Sequence, residues 1–543
     1  MSPRSSTAVH LLALAAIVAA AFLPWLRTEN HTSARDGRHA EISREMAERG
    51  DYVVPYVLGK PYTDKMPLFT IVTAALFRLT GRVDIGMARL PSSLSVMVMV
   101  LATYLLGRRW FSVRAALWAA AMEASFLVVL EWGLAVRSDT MLAAWFTLAI
   151  LLADRSAESR CPRSSWLYWV GSCLAVSAAV LSKGALAGPS FLIPAIAIWR
   201  ARRGRCVPPM AYLAAAVLLV ALGPAAWGVA SEIRSPGHVA RVLEYQFSRT
   251  LGQHAAPFYE MPFQLLRGTG PWGLFALGAG WAAVRRVRRS GYDRTLIPAL
   301  TLATGLVALS LSPSKRSHYL LPLIPMWALF LAGYLDQAAG AEGAAGSPRD
   351  GPAPRWLFVW PLRLCLVVVI ATVATLAVRW VPGLGAGRVV PWLAYGAVGA
   401  ATAYGILCAW RGRSSAAVGA LLLAVLLVAL VGQAAYWRLY RKPDPEFASA
   451  RELGRAIPPG AAIGALETGS EILFFVLNRR VTFLPDSYPA MLAFLRQPGP
   501  HYLIVRTQRL ADLQGVLPAP PRRIGEWTFP QDKVNATLLA IEP

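Results

Sequence analysis

Long uninterrupted apolar blocks constrain this chain more than any other feature. Residues 416–437 run without a charge, and residues 364–378 do so between two arginines. Blocks of this kind approach the roughly 20 residues that a helix needs to cross a hydrocarbon core. A core helix of a soluble protein seldom runs so far without an amphipathic break. Composition agrees: of 543 residues, 56% are hydrophobic and only 15% charged, too apolar for ordinary soluble domains. The fold class expected is mainly α, a polytopic membrane protein.

About 13 spans of roughly 20 residues are expected. They lie near 8–26, 88–106, 113–131, 139–153, 166–182, 186–200, 209–229, 271–284, 295–311, 319–335, 356–379, 390–410 and 414–436. The net charge of +24 gathers in short loops: Arg108-Arg109, residues 200–205, residues 285–289, and Arg411 with Arg413. With a cytoplasmic N-terminus all four clusters fall inside the cell, as the positive-inside rule requires. The charge therefore follows membrane topology, and no nucleic-acid partner is expected. Cys161 and Cys206 then sit in cytoplasmic loops and Cys173, Cys365 and Cys408 in spans, so no disulfide framework is expected.

This topology makes residues 1–439 a transmembrane domain with outer segments 27–87 and 230–270, and 440–543 an outer domain. Small residues at 18–22 also allow the first span to be read as a cleaved signal peptide. Its apolar run is longer than such peptides carry, and cleavage would release the loop with the densest motif. Residues 336–355, rich in Gly, Ala, Ser and Pro, read as a flexible linker. In the tail, strand-like runs at 461–466, 482–484, 501–506, 523–528 and 535–541 alternate with helical spacing at 471–477, 488–496 and 509–516. The pattern predicts a small α/β domain. Without a Gly-rich phosphate loop, it reads as a cap over the active face.

The outer segments carry the chemistry. Arg35-Asp36-Gly37-Arg38-His39-Ala40-Glu41-Ile42 and the residues to Met46 suggest a helix on the membrane surface. Its charges Glu41, Arg44, Glu45, Glu48 and Arg49 are expected to be solvated. Asp36 is open to two readings, a helix cap or a catalytic base. Lys65, held between Asp64 and Pro67, either snorkels to headgroups or holds a lipid phosphate. Asp139 stands at the mouth of a span, where an acid is costly unless paired or functional. Lys183, Arg249 and Lys315, the last ahead of Tyr319, all fall on the outer side against the charge rule. Cations placed there point to an anionic ligand in the outer leaflet.

Taken together, several motifs resemble the bacterial protein-mannosyltransferase-like enzymes, a group that includes the aminoarabinose transferases of lipid A. They are Asp36 to Met46, Gly50-Asp51-Tyr52, Gly59-Lys60-Pro61-Tyr62, Asp64-Lys65-Met66-Pro67, Arg89-Leu90-Pro91-Ser92, Ser182-Lys183-Gly184, Gly270-Pro271-Trp272 and Lys315 to Pro325. The resemblance covers about residues 1–335, and the remainder in architecture alone. It implies the C-type glycosyltransferase fold and transfer of a sugar from a polyprenyl phosphate to a periplasmic acceptor. Carried over by position, Asp36 and Asp139 match the acids of the first two outer loops. Lys65, Arg249 and Tyr319 match donor-phosphate contacts, and Arg38 matches a further first-loop arginine. Two departures stand out: Arg35 occupies the first place of an acidic pair, with His39 in place of a tyrosine, and Lys-Pro-Pro has become Lys65-Met66-Pro67.

The mechanism expected is a single displacement, its inversion implied by the resemblance. Cations Arg38, Lys65, Lys183, Arg249 and Lys315, with Tyr319, hold the leaving phosphate, and Asp36 or Asp139 deprotonates or orients the acceptor. The partners expected are a polyprenyl-phosphate sugar, an envelope acceptor (lipid A-type glycolipid, protein or other glycan) and membrane lipids. No dedicated metal site is expected, although Asp36, Asp64 and Asp139 could gather a divalent cation. The location expected is the bacterial inner membrane, with the tail periplasmic. A lipid-linked-sugar flippase would need functional charges within spans or an internal repeat. A structural envelope subunit would leave the order of the motifs unexplained.

Overall fold

The computed structural model of the chain describes residues 3–29, 34–184, 187–204, 208–245, 256–290, 292–340, 353–380, 389–439, 445–466, 470–484, 488–513, 521–530 and 534–541. Ten helices open it: α1 (Pro3–Phe22), α2 (Ala34–Arg49), α3 (Leu68–Thr80), α4 (Ile85–Trp110), α5 (Val113–Ser125), α6 (Leu127–Trp132), α7 (Asp139–Glu158), α8 (Pro162–Lys183), α9 (Ala187–Arg203) and α10 (Met210–Arg234). Apolar helices Ile297–Leu311, Ile324–Gly340, Trp356–Trp380, Val389–Trp410 and Ser414–Leu439 follow. Among the described residues nine helices are long and apolar enough to cross a membrane. The chain is a multi-pass membrane protein.

Three of the expected spans that are not among these nine are short or interrupted helices, at 113–131, 186–200 and 271–284. The run at 113–131 breaks at Phe126, whose extended backbone (φ −67°, ψ 132°) separates α5 from α6. The run at 271–284 begins as a 3-10 helix, Gly270–Phe275, before continuing as an α-helix, Ala276–Ser290. Non-helical backbone at membrane depth has to be enclosed by protein, and Ser125 and Phe126 are both buried. Helix starts are fixed locally: Asp84 accepts from the Met87 amide at 2.9 Å and Ser112 from Ala115 at 3.0 Å, as N-caps do. The bundle is then built by packing α4 on α5 and α7, and α7 on α8.

Two short strands, β1 (Tyr56–Val57) and β2 (Lys60–Pro61), pair antiparallel after α2, and the tail forms a five-stranded sheet in the order β4-β3-β5-β7-β6, where β3 is Ala462–Leu466, β4 Thr482–Leu484, β5 His501–Arg506, β6 Arg522–Phe529 and β7 Val534–Ile541. β3 pairs parallel with β4 and β5, whereas β7 pairs antiparallel with β5 and β6. Side chains alternate between faces with the period of two that a strand imposes. Ile504 and Leu538 join Leu453, Leu473 and Phe474 on one face. Leu503, Val505 and Leu539 join Met491 and Phe494 on the other.

This sheet is tied to the first outer segment. Ala40 of α2, Phe69 and Phe77 of α3, Val136 and Met141 share one buried cluster with Phe447, Ile472 and Phe475 of the tail. A Cβ at Gly37 would fall 2.1 Å from Ile472 Cγ1, so only glycine lets α2 and the helix Glu471–Leu477 approach so closely. That contact corrects the expectation of a solvated amphipathic helix. Glu41, Arg44 and Glu45 are buried, because the tail and α3 cover the face that a membrane-surface helix would expose. Their charge is balanced internally: Arg44 donates to Glu41 through Nε and Nη2 at 2.7 and 2.8 Å, and to Glu48 at 2.7 Å. Burial still holds the Glu41 carboxyl up at about 7 against the pull of Arg44.

Candidate functional site

The site lies where the turn 133–138, between α6 and α7, meets the start of α2. Two serines of α4 fasten that turn: Ser93 Oγ donates to the Gly133 carbonyl at 2.8 Å and Ser92 Oγ to the Arg137 carbonyl at 3.1 Å. Asp36, in the first turn of α2, reaches across with Oδ1 to accept from the Val136 amide at 3.2 Å and Arg137 Nε at 3.3 Å. Its carboxylate therefore holds the turn 133–138 against the start of α2.

Asp139 opens α7 and is buried. Its Oδ1 pairs with Lys183 Nζ from the end of α8 and lies 4.0 Å from His318 Nε2. Lys183 Nζ also stands 4.5 Å from the centre of the Tyr319 ring, a cation–π distance. An aromatic wall backs these charges. The Arg137 guanidinium lies 4.8 Å over Trp132, Trp132 packs 4.5 Å from His318, and His318 meets Tyr319 edge-on at 4.7 Å.

Lys65 belongs to the same field. Burial, then the neighbouring Lys183, lowers its ammonium to about 8, while Asp139 and Asp64 pull it back up. His39 is held at about 3 by burial and then by Arg137 and Lys65, so it stays neutral at physiological pH. His39 is thus an uncharged ring, packed edge-on at 6.3 Å from both Tyr62 and Phe69. Beside this centre opens a cavity of about 530 Å³ whose lining includes Arg35, Trp132, Arg137, Lys315, Arg316 and His318 and no acid. Cations outnumber carboxylates across the whole site, which suits it to an anionic ligand.

The residues expected from sequence divide three ways. Asp36, Lys65, Asp139, Lys183 and Tyr319 come together. Lys315 lines the adjacent cavity, where its Nζ donates to the Ser312 carbonyl at 2.7 Å. Arg38 turns toward the tail and donates through Nε to Glu471 Oε1 at 2.7 Å. Arg249 lies outside the described residues. Three participants were not singled out: Arg137, His318 and Glu471. Arg137 carried a readable signal, an outer-side cation beside Asp139. Glu471 carried none, being 433 positions from Arg38. Among the described residues, no group of three or more His, Cys, Asp or Glu is arranged to hold a metal.

Comparison with known proteins places these features. Residues 64–227 match the family described as dolichyl-phosphate-mannose-protein mannosyltransferase. The undecaprenyl phosphate-alpha-4-amino-4-deoxy-L-arabinose arabinosyl transferase of Pectobacterium carotovorum subsp. carotovorum (strain PC1) is 28% identical over 396 residues, 71% of this chain and 66% of that protein. Its namesake from Aeromonas salmonicida (strain A449) is 31% identical over 319 residues, 55% of each chain. The matched region thus spans about half to two thirds of these relatives. Among solved structures, ArnT from Cupriavidus metallidurans, bound to undecaprenyl phosphate, superposes with a TM-score of 0.69 at 17% identity, covering 98% of this chain and 97% of that one. That likeness shows the fold.

Proposed function

We propose that this chain, a protein that is mannosyltransferase-like and aminoarabinose-transferase-like in sequence and has the C-type glycosyltransferase fold, moves a sugar from a polyprenyl phosphate to an envelope acceptor on the periplasmic face of the inner membrane. The acceptor class proposed is a lipid A-type glycolipid, following the relatives' chemistry. The observation that carries the reading is the Lys65–Lys183–Asp139 cluster on the outer side of the bundle, walled by Trp132, His318 and Tyr319.

The chemistry follows from the bond that breaks. The C1–O bond to phosphate cleaves with its electron pair leaving on the phosphate oxygen. Lys65 and Lys183 stabilise that growing charge in a partly buried site, where fixed cations act more strongly than in water. The acceptor oxygen forms the new bond at C1. If it is a hydroxyl, its proton passes to a carboxylate. Asp139 is the better placed of the two acids, since a phosphate drawing on Lys183 leaves Asp139 a freer carboxylate. Asp36 acts by holding Arg137 and the second-loop backbone in place. If the acceptor oxygen belongs to a phosphate, no base is needed and both acids position. The cations supply the countercharge that a divalent metal would bring elsewhere, so the reaction proposed is metal-independent.

The test is transfer of radiolabel from a polyprenyl-phosphate sugar to envelope lipid in membranes containing the full chain. Activity should require Lys65 and Asp139. Wild-type rates in both Lys65→Ala and Asp36→Asn would sink the assignment, and ATP-independent flipping of the donor without transfer would replace it.

A further inference from the structure

The run Arg89-Leu90-Pro91-Ser92-Ser93 lies in the first turns of α4, and so far only its two serines have a role. Positions 89, 92 and 93 have the i, i+3 and i+4 spacing that puts side chains on one helix face. All three side chains donate to backbone outside α4. Ser92 and Ser93 take the carbonyls of Arg137 and Gly133. Arg89 takes the exit of α1: its Nη1 donates to the Thr28 carbonyl, to the Leu26 carbonyl at 3.3 Å and to Thr28 Oγ1 at 3.4 Å. That exit is a closed turn, since the Thr28 amide and hydroxyl both donate to the Trp25 carbonyl, at 3.1 and 2.7 Å. The turn rests directly on α4, where a Cβ at Gly86 would fall 2.9 Å from Arg27 Cγ.

Arg89 is 2% exposed and is among the largest fully buried side chains. A guanidinium sealed inside a membrane bundle is costly, and a span keeps one where it is paired or functional. The carboxylates whose charge acts on it are Asp36, first, and then Glu29. Asp36 in turn accepts from the Val136 amide and Arg137 Nε, and Ser92 holds the Arg137 carbonyl. One face of α4 therefore bears on both sides of the Asp36–Arg137 joint. A planar guanidinium suits this task because it offers several donors in fixed directions, whereas an ammonium is a point charge on a flexible stem.

We infer that Arg89 is a positioning residue of the transfer reaction, keeping the exit of α1 and Asp36 in register with the turn 133–138 that carries Arg137 and leads into Asp139. Buried within α4, it acts through Asp36 and does not touch substrate. The inference rests on the function proposed above.

Steady-state transfer of labelled sugar by the full chain in membranes, with thermal melting of each variant, tests it. Arg89→Gln should lower kcat per folded molecule about 10²-fold, the scale of a small misplacement at the reacting centre, with the KM for the polyprenyl-phosphate sugar nearly kept. A merely structural arginine would lower the melting temperature and leave kcat per folded molecule intact. Arg89→Lys should recover only part of the rate, because it restores the charge without the fork, and it carries the same test if Arg89→Gln does not fold. Added to Asp36→Asn, Arg89→Gln should cost far less than it does alone, since residues acting through one contact are not additive. Wild-type kcat per folded molecule in either Arg89 variant overturns the proposal, and so do fully additive losses in the double variant. Absence of transfer by wild type would refute the function itself and the inference with it, an outcome distinct from an active wild type whose Arg89 variants keep full kcat.

Discussion

Helix α7 carries a buried aspartate near each end, and the two differ in what surrounds them. Asp154 accepts from Arg109 Nε at 2.5 Å and from Arg202 Nε and Nη2 at 2.8 and 2.9 Å. Glu158 shares both arginines. Every partner comes from a packed helix or helix end, so the network clamps α4, α7 and α9 together. Asp139 pairs instead with one half-buried lysine, Lys183, and stands near a histidine, beside an open cavity and a second half-buried lysine, Lys65. A bidentate arginine pair is a fixed joint, whereas a lysine is a mobile point charge that a ligand can share. Two acids on one helix thus serve different ends, and burial alone does not tell them apart.

Breaking that contrast at its outer end should give the largest effects. Lys65→Ala is expected to lower sugar transfer about 10²–10³-fold, the scale of one removed charge-stabilising donor, and Asp139→Asn to do comparably, both read as label transfer in membranes. The pH profile comes next. Lys65 is fully charged well below its value of about 8 and loses its charge as pH rises through it. Donor capture should therefore decline above pH 8, approaching tenfold per unit, and Lys65→Arg should extend the plateau upward. At the inner end, Asp154→Asn should cost about 3 kcal/mol of stability, the low end for a broken buried pair because Glu158 remains. Thermal melting would show that loss while transfer per folded molecule holds. A smaller effect is expected from Glu471→Gln, which frees Arg38. Its change should fall on the KM for the donor or acceptor, by a few-fold, with kcat nearly kept. The smallest is none at all: a chelator should leave transfer unchanged, and a loss restored by added divalent metal would refute the metal-independent mechanism.

Much of this molecule could be read from the chain, and the gaps have physical causes. The strands at 482–484 and 501–506 and the helix at 471–477 fall where their patterns predicted. Strand alternation and short helical repeats are local properties that neighbouring residues carry. The break at Phe126 was missed because hydropathy records the length of an apolar run and is blind to a bend within it. Glu41, Arg44 and Glu45 of α2 were misassigned for a related reason, while Glu48 and Arg49 are exposed as expected: amphipathicity shows that a face exists without showing what covers it. Arg38 was given to the phosphate on sequence position, yet the tail supplies its carboxylate partner.

The sequence by itself determined a multi-pass membrane protein with cations set apart from its short basic loops, because apolar length and the placement of charge are set residue by residue. It also marked Lys183, Arg249 and Lys315 as exceptions to that placement, and Asp36, Lys65 and Asp139 as candidates for the chemistry. Tertiary structure alone decided that Asp139 meets Lys183, that Asp36 holds Arg137, and that Arg38 belongs to Glu471. Those pairings join residues from 44 to 433 positions apart. Such contacts depend on how helices pack, and no local pattern records the neighbour that a distant segment brings.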